Sequence, residues 1–267
     1  MTDTAPSTPR IGVVLVAAGS GTRLGRGMPK ALVPLTGKPL LEHALRGIIA
    51  SGVATTVVAV LPPGDEHLRR ICADVGRDTG TAITTTAGGA ERTDSVRTGI
   101  EALGPVDHIL VHDAARCLTP PEVFIRIVEA LQAGGTAVIP GVPVADTIKV
   151  VDPATRPAHG IPDAAPVTGT PDRSGLRAIQ TPQGFEAGAL AAAHAAAAGW
   201  SRAEAAAITD DAALMERAGH QVLVVPGDPA AFKITTALDL LLAEAMLAGD
   251  RTRDQAPSPT TTTEEPR

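Results

Sequence analysis

The chain has 267 residues, 44% of them hydrophobic, enough for a sizeable core in one α/β domain. A formal net charge of −6 (23 Lys+Arg against 29 Asp+Glu) and an aromatic content of 1% argue against a nucleic-acid partner, because both a basic field and base-stacking platforms are missing. Two cysteines, Cys72 and Cys117, make no disulfide framework, no apolar run approaches the roughly 20 residues of a membrane span, and the opening MTDTAPSTPR has no signal pattern, so the expectation is a cytoplasmic chain with no membrane contact.

Residues 1–10 read as a disordered lead, and residues 11–248 as a single domain. The tail 249–267, polar and rich in Pro and Thr, cannot bury enough apolar surface to fold. Ile11–Ala17 is a near-continuous apolar run, as expected of a strand buried on both faces of a parallel sheet. A helix over 39–50 places Leu41, Ala44, Leu45, Ile48 and Ile49 on one face. Thr55–Leu61 is a second strand, followed by a helix at 65–75 and a strand at 81–86. A helix at 93–103 carries Val96, Ile100 and Leu103 behind a Thr93/Asp94 cap. His108–His112 is a strand, and a helix at 121–133 and a strand at 136–140 follow.

The pattern breaks over 142–176, a Pro- and Gly-rich stretch with two β-like pieces that reads as a projecting β-arm. Regular structure resumes with Leu176–Gln180, helices at about 187–198 and 210–218, and a strand at 221–225. A last helix at 236–248 is expected to turn Leu238, Leu241, Leu242, Ala245 and Met246 inward. Strands alternating with helices predict a three-layer, mostly parallel, Rossmann-like sheet.

The strongest local signal is VVLVAAGSGTRLGRGMPK, a buried strand that runs into a glycine-rich exit. Ligands of open parallel sheets bind at that edge. Successive N–H groups there cradle phosphates, and Arg23 and Lys30 add positive charge. The spacing of Gly19, Gly21 and Gly25 is neither a dinucleotide fingerprint nor a Walker A loop.

AAGSGTRLG followed by PK resembles the signature of sugar-nucleotide pyrophosphorylases and related nucleotidyltransferases. Four further segments, GGAERTDSV, VHDAARC, DRSGLRAIQTPQGF and TDDAALMERAG…VPGDPAAFKIT, narrow the resemblance to the 2-C-methyl-D-erythritol 4-phosphate cytidylyltransferases, over about residues 11–248. The resemblance implies the nucleotide-diphospho-sugar transferase fold and transfer of a cytidylyl group from CTP to a polyol phosphate, with Mg²⁺ as cofactor. Such a reaction joins two polyanions, so the site must neutralise charge and align phosphates. It needs no general base, since a phosphate monoester is largely dianionic near neutral pH.

By the same resemblance, Arg23, Lys30 and Lys233 stabilise charge during transfer. Ala17, Ala18 and Gly19 hold CTP, and Gly88, Gly89, Ala90 and Ser95 read the cytosine. Asp113, Arg116, Thr147, Arg173 and Thr181 take the acceptor, with Asp113 also the metal ligand. The arm implies a homodimer in which Thr147 and Arg173 complete the neighbour's site. Three departures from the family pattern stand out: Ala90 for an Asp seen in other members, Cys117 for Pro, and Ala231 for Asn. Asp210 and Asp211 read as helix-capping carboxylates. The alternatives are a cytidylyltransferase for another polyol phosphate, such as ribitol 5-phosphate, and a catalytically silent nucleotide-binding regulator.

Overall fold

The computed structural model describes residues 8–19, 27–152, 154–155, 164–197, 199–200, 204 and 208–254. Arg23, Gly21, Gly25 and most of the arm tip lie outside them.

The fold starts from β1 (Ile11–Val16), whose alternating side chains serve two cores. Val13 and Leu15 face one layer and Val14 the other, and all three are fully buried. After a small hairpin of β2 (Pro34–Leu35) and β3 (Lys38–Pro39), α1 (Leu40–Ala50) leads to β4 (Thr56–Leu61). Then come α2 (Glu66–Thr79), β5 (Ile83–Ala87), α3 (Arg92–Leu103) and β6 (His108–Asp113). Strands β5, β4, β1 and β6 lie side by side and parallel.

The chain continues through α4 (Pro121–Gln132) and β7 (Ala137–Pro143) into the arm, where β8 (Val150–Val151) pairs with β9 (Val167–Gly169). It returns as β10 (Arg177–Ile179) and β11 (Gln183–Glu186), then α5 (Ala187–Ala197), α6 (Asp211–Arg217), β12 (Val222–Pro226) and α7 (Ala237–Asp254). Strand β11 inserts antiparallel between β6 and β7, while β12 runs parallel to β7. The sheet is therefore mixed, with a parallel centre. Residues of α1, α2, α4 and α7 pack one face, and residues of α3, α5 and α6 the other.

Four expectations are corrected. The cap of α3 is Glu91, with Asp94 at N3 accepting the Glu91 N–H at 3.3 Å, and not Thr93/Asp94. Helix α2 runs past residue 75 to Thr79, ending on Gly80 in the left-handed conformation at φ 70°. The face of α7 is reversed: Leu240 and Ala243 are buried with Leu247 packed behind them, while Leu238, Leu241 and Leu242 are exposed. This helix carries two apolar stripes, and the 3.6-residue period fits both. It also extends to Asp254, past residue 248.

Candidate active site

The strand order reverses at β1: β4 follows on one side and β6 returns on the other. Such a reversal opens a crevice at the carboxyl ends of the two strands. Register places Val16 of β1 beside Asp113 of β6, so the glycine-rich exit and the carboxylate share that crevice. A cleft of about 470 Å³ lies there, lined by Ala17, Ala18, Gly19, Lys30, Gly89, Ala90, Glu91, Arg92, Ser95, Asp113, Lys233 and Thr235 among others. That volume falls in the range of small-molecule sites.

Two loops form one side of the cleft. The first leaves β1 with the Ala17 N–H held by Val60 O (2.8 Å), and the Lys30 N–H returns to Gly19 O (3.3 Å). The second is Gly88–Glu91. Its glycines are required by close approach, since a Cβ on Gly88 would stand 2.6 Å from Ala18 Cβ and one on Gly89 would run into Asp94. Ser95 folds the loop back, accepting from the Gly89 N–H (3.1 Å) and donating to Glu91 O (3.1 Å). Backbone groups thereby line one wall.

A second part of the cleft centres on Asp113. Lys233 Nζ donates to its Oδ2 at 2.6 Å, and Arg92 Nε stands 3.6 Å from its Oδ1. Burial pushes the Asp113 carboxyl up, but Arg92, Lys233 and Arg116 outweigh it and hold the pKa at about 2. The site therefore keeps one carboxylate ionised among cations. Lys233 is brought here by the Ile234 N–H bonding Ala115 O (2.9 Å) and by Asp239, whose Oδ2 accepts from Thr235 N, Thr236 N and Thr235 Oγ1.

Of the residues read from the sequence, Ala17, Ala18, Gly19, Lys30, Gly89, Ala90, Ser95, Asp113 and Lys233 meet on this cleft, with Gly88 bonded to Leu61 O at its edge. Arg23 lies outside the described residues. Arg116 and Thr181 stand behind the lining. The Arg116 guanidinium donates to Ala231 O (2.7 Å) and Ile179 O (3.2 Å), leaving a buried Nε–H without a partner. Thr181 Oγ1 accepts from the Asp113 N–H and meets His112 Nδ1, both at 3.0 Å, so it braces the end of β6. His112 is buried edge-on to Phe124, and burial lowers its pKa to about 4, a structural placement. Thr147 and Arg173 sit exposed on the arm, where Arg173 donates to Ala145 O, away from this cleft. The thiol of Cys117 is buried, and desolvation raises it to about 12, which makes it inert.

Sequence reasoning missed Arg92. It lies inside GGAERTDSV, but nothing local shows that its guanidinium spans Asp113 and Asp211. It misread Asp211 as well. Asp210 is the cap of α6, accepting the Ala213 N–H (2.9 Å), whereas Asp211 is buried against Arg92 and His194.

A family model described as 2-C-methyl-D-erythritol 4-phosphate cytidylyltransferase matches residues 11–249. The chain belongs to this family. Every residue lining the cleft falls within the match. The 2-C-methyl-D-erythritol 4-phosphate cytidylyltransferase of Streptomyces avermitilis is 44% identical over 93% of this chain and 96% of its own length. The bifunctional IspD/IspF enzyme of Clavibacter michiganensis is 48% identical over 91% of this chain, which spans only 55% of that relative. The solved cytidylyltransferase of this family from Thermus thermophilus superposes with a TM-score of 0.68 at 33% identity, covering 90% of this chain and 99% of the other. The 4-diphosphocytidyl-2C-methyl-D-erythritol synthase of Anaerococcus prevotii gives a TM-score of 0.74 at 27% identity, covering 90% and 96%. The three-layer cytidylyltransferase fold expected from the sequence is thus the fold observed.

Proposed function

We propose that the protein transfers a cytidylyl group from CTP to 2-C-methyl-D-erythritol 4-phosphate, releasing pyrophosphate. The observation that carries this reading is the meeting of Asp113, Lys233, Arg92 and Lys30 with the Gly88–Ser95 loop at the crevice of β1 and β6. In the reaction an oxygen of the acceptor phosphate attacks the α-phosphorus and pyrophosphate leaves in line. Lys30 is assigned to the triphosphate, as the family resemblance also assigns Arg23, and Lys233 to the reacting phosphates, so charge that develops in the transition state meets cations. Asp113 orients the acceptor through its hydroxyl groups. Arg116 contributes positive charge behind it, and Thr181 fixes the backbone from which Asp113 projects.

The donor set fits Mg²⁺ arriving with the nucleotide. Among the described residues no group of three His, Cys, Asp or Glu could hold an ion alone. Asp113 Oδ1 stands 3.6 Å from Arg92 Nε, and one carboxylate plus substrate phosphates is a usual Mg²⁺ environment. A bound Mg²⁺ supplies charge neutralisation on the triphosphate.

The arm is read as the contact of a homodimer. Ile148, Val150, Val151 and Val167 are exposed apolar residues on or beside the two-stranded β8–β9 ribbon, and such a ribbon is marginal without a covering surface. Thr147 and Arg173 then reach the partner's acceptor site. Two buried free thiols suit a reducing cytoplasm, and no described helix is long and apolar enough to cross a membrane. Mass spectrometry of the nucleotide product formed from CTP and 2-C-methyl-D-erythritol 4-phosphate tests the assignment. The expected species is the 4-diphosphocytidyl alcohol, and its absence with folded protein overturns the reading.

A further inference from the structure

Arg92 is the first residue of α3 and directly follows the Gly88–Glu91 loop. Its guanidinium reaches two carboxylates from different parts of the chain. Nη1 donates to Asp211 Oδ2 at 2.7 Å, and Nε stands 3.6 Å from Asp113 Oδ1. The two contacts are unequal: 2.7 Å is a short charge-assisted hydrogen bond, whereas 3.6 Å lies beyond hydrogen-bond range. Arg92 is thus committed to Asp211 and only leans on Asp113.

Asp211 cannot yield that bond easily. Its side chain is 2% exposed, and it does not line the cleft. Its other oxygen lies 3.3 Å from Nε2 of the buried His194. The α6 start that carries Asp211 is pinned to β11: Gln183 Nε2 donates to Asp210 Oδ2 (2.7 Å) and Gln183 Oε1 accepts from the Ala212 N–H (3.2 Å). A buried ion pair adds little net stability compared with apolar packing, so its evident product is geometry.

We propose that Arg92 is a strut that couples the nucleotide loop to the acceptor carboxylate, and that Asp211 is the positioning residue that holds the strut off Asp113. Asp211 competes for the guanidinium and so keeps it out of hydrogen-bond range of Asp113 Oδ1. Without it, the guanidinium closes on Asp113, both carboxylate oxygens are taken by cations, and the acceptor loses its orienting group. The α3 start and the Gly88–Glu91 loop move with the guanidinium.

This inference rests on the function proposed above, and a double-mutant cycle separates the two. Wild type, Asp211→Asn, Arg92→Met and the double variant are compared for kcat, both KM values and Tm. The expected loss for Asp211→Asn is about tenfold in kcat/KM for the polyol phosphate, with KM for CTP changed less than about threefold. Because Asp211 acts through Arg92, the double variant falls within about twofold of Arg92→Met. Losses that multiply, or an Asp211→Asn protein with lower Tm and wild-type kcat/KM, overturn the strut. If Asp211→Asn fails to fold, Arg92→Lys at its partly exposed position decides, because a single ammonium cannot span both carboxylates. Loss close to that of Arg92→Met supports the strut, and wild-type turnover overturns it. A wild-type protein that binds CTP calorimetrically without turnover overturns the proposed function instead. The strut is then read from a crystal structure of Asp211→Asn, in which Arg92 closes to about 3.2 Å or less from Asp113, and a guanidinium left in place overturns it.

Discussion

Asp113 and Lys233, 120 residues apart in the chain, meet at 2.6 Å across the cleft. One ends the central strand β6 and the other lies on the segment that precedes α7. Their contact closes the site only when the whole sheet has formed.

Removing these charges should cost turnover rather than folding. Lys233→Met and Lys30→Ala are each expected to lower kcat by at least about 10²-fold, the scale for losing a group aimed at developing charge. Arg23→Ala is expected to do the same. Steady-state kinetics with circular dichroism on each variant checks this, and turnover within threefold of wild type contradicts the assigned role.

Gly88→Ala tests the second loop. The added Cβ meets Ala18 Cβ at 2.6 Å and Ser95 Oγ at 2.9 Å, so the loop must shift at a cost of about 1–3 kcal/mol. KM for CTP is expected to rise at least about tenfold, with a smaller change for the acceptor. A KM for CTP equal to wild type would show that the base does not sit there.

Deletion of the arm tip, residues 153–165, is expected to leave the central sheet folded, since the described buried residues of its two cores all lie elsewhere. Sedimentation should show weakened dimers, and KM for the polyol phosphate should rise more than KM for CTP. An intact wild-type protein that sediments as a fully active monomer contradicts the shared site.

Asp239 anchors Thr235 and Thr236 at the start of α7 in a capping-box arrangement, and so steadies Lys233 two residues earlier. Burial nudges its pKa up, but the Thr235 and Thr236 amides and hydroxyls outweigh this and lower it from 3.8 to about 2. A depressed carboxylate stabilises the fold above its unfolded pKa. Asp239→Ala is therefore expected to cost about 1 kcal/mol at pH 7. The difference should shrink as pH falls from about 4 toward 2. Denaturant melts at pH 7 and pH 3 check this, and a pH-independent difference contradicts the ionic cap.

Much of this molecule is legible in its sequence. The apolar run of β1, the glycine-rich exit and VHDAAR place the crevice, because buried parallel strands and their carboxyl ends carry strong local signals. Strand β11 is not legible: it has four residues, and Gln183 and Glu186 at its ends break the apolar pattern although Phe185 is fully buried. The face of α7 is hidden by its two apolar stripes. Asp211 is hidden for a different reason, since its role depends on a partner 119 residues away, which no local pattern encodes. Arg116 and Thr181 are visible as motif residues, but their hydrogen bonds to backbone behind the cleft emerge only from tertiary packing.

The most direct test of the account is pyrophosphate release from CTP and Mg²⁺ with a panel of acceptors that includes 2-C-methyl-D-erythritol 4-phosphate and ribitol 5-phosphate. The account predicts that kcat/KM is highest for 2-C-methyl-D-erythritol 4-phosphate, that UTP and ATP substitute poorly for CTP, and that chelation of the metal stops release. A higher kcat/KM for another acceptor, or no release from protein that binds CTP, would contradict it.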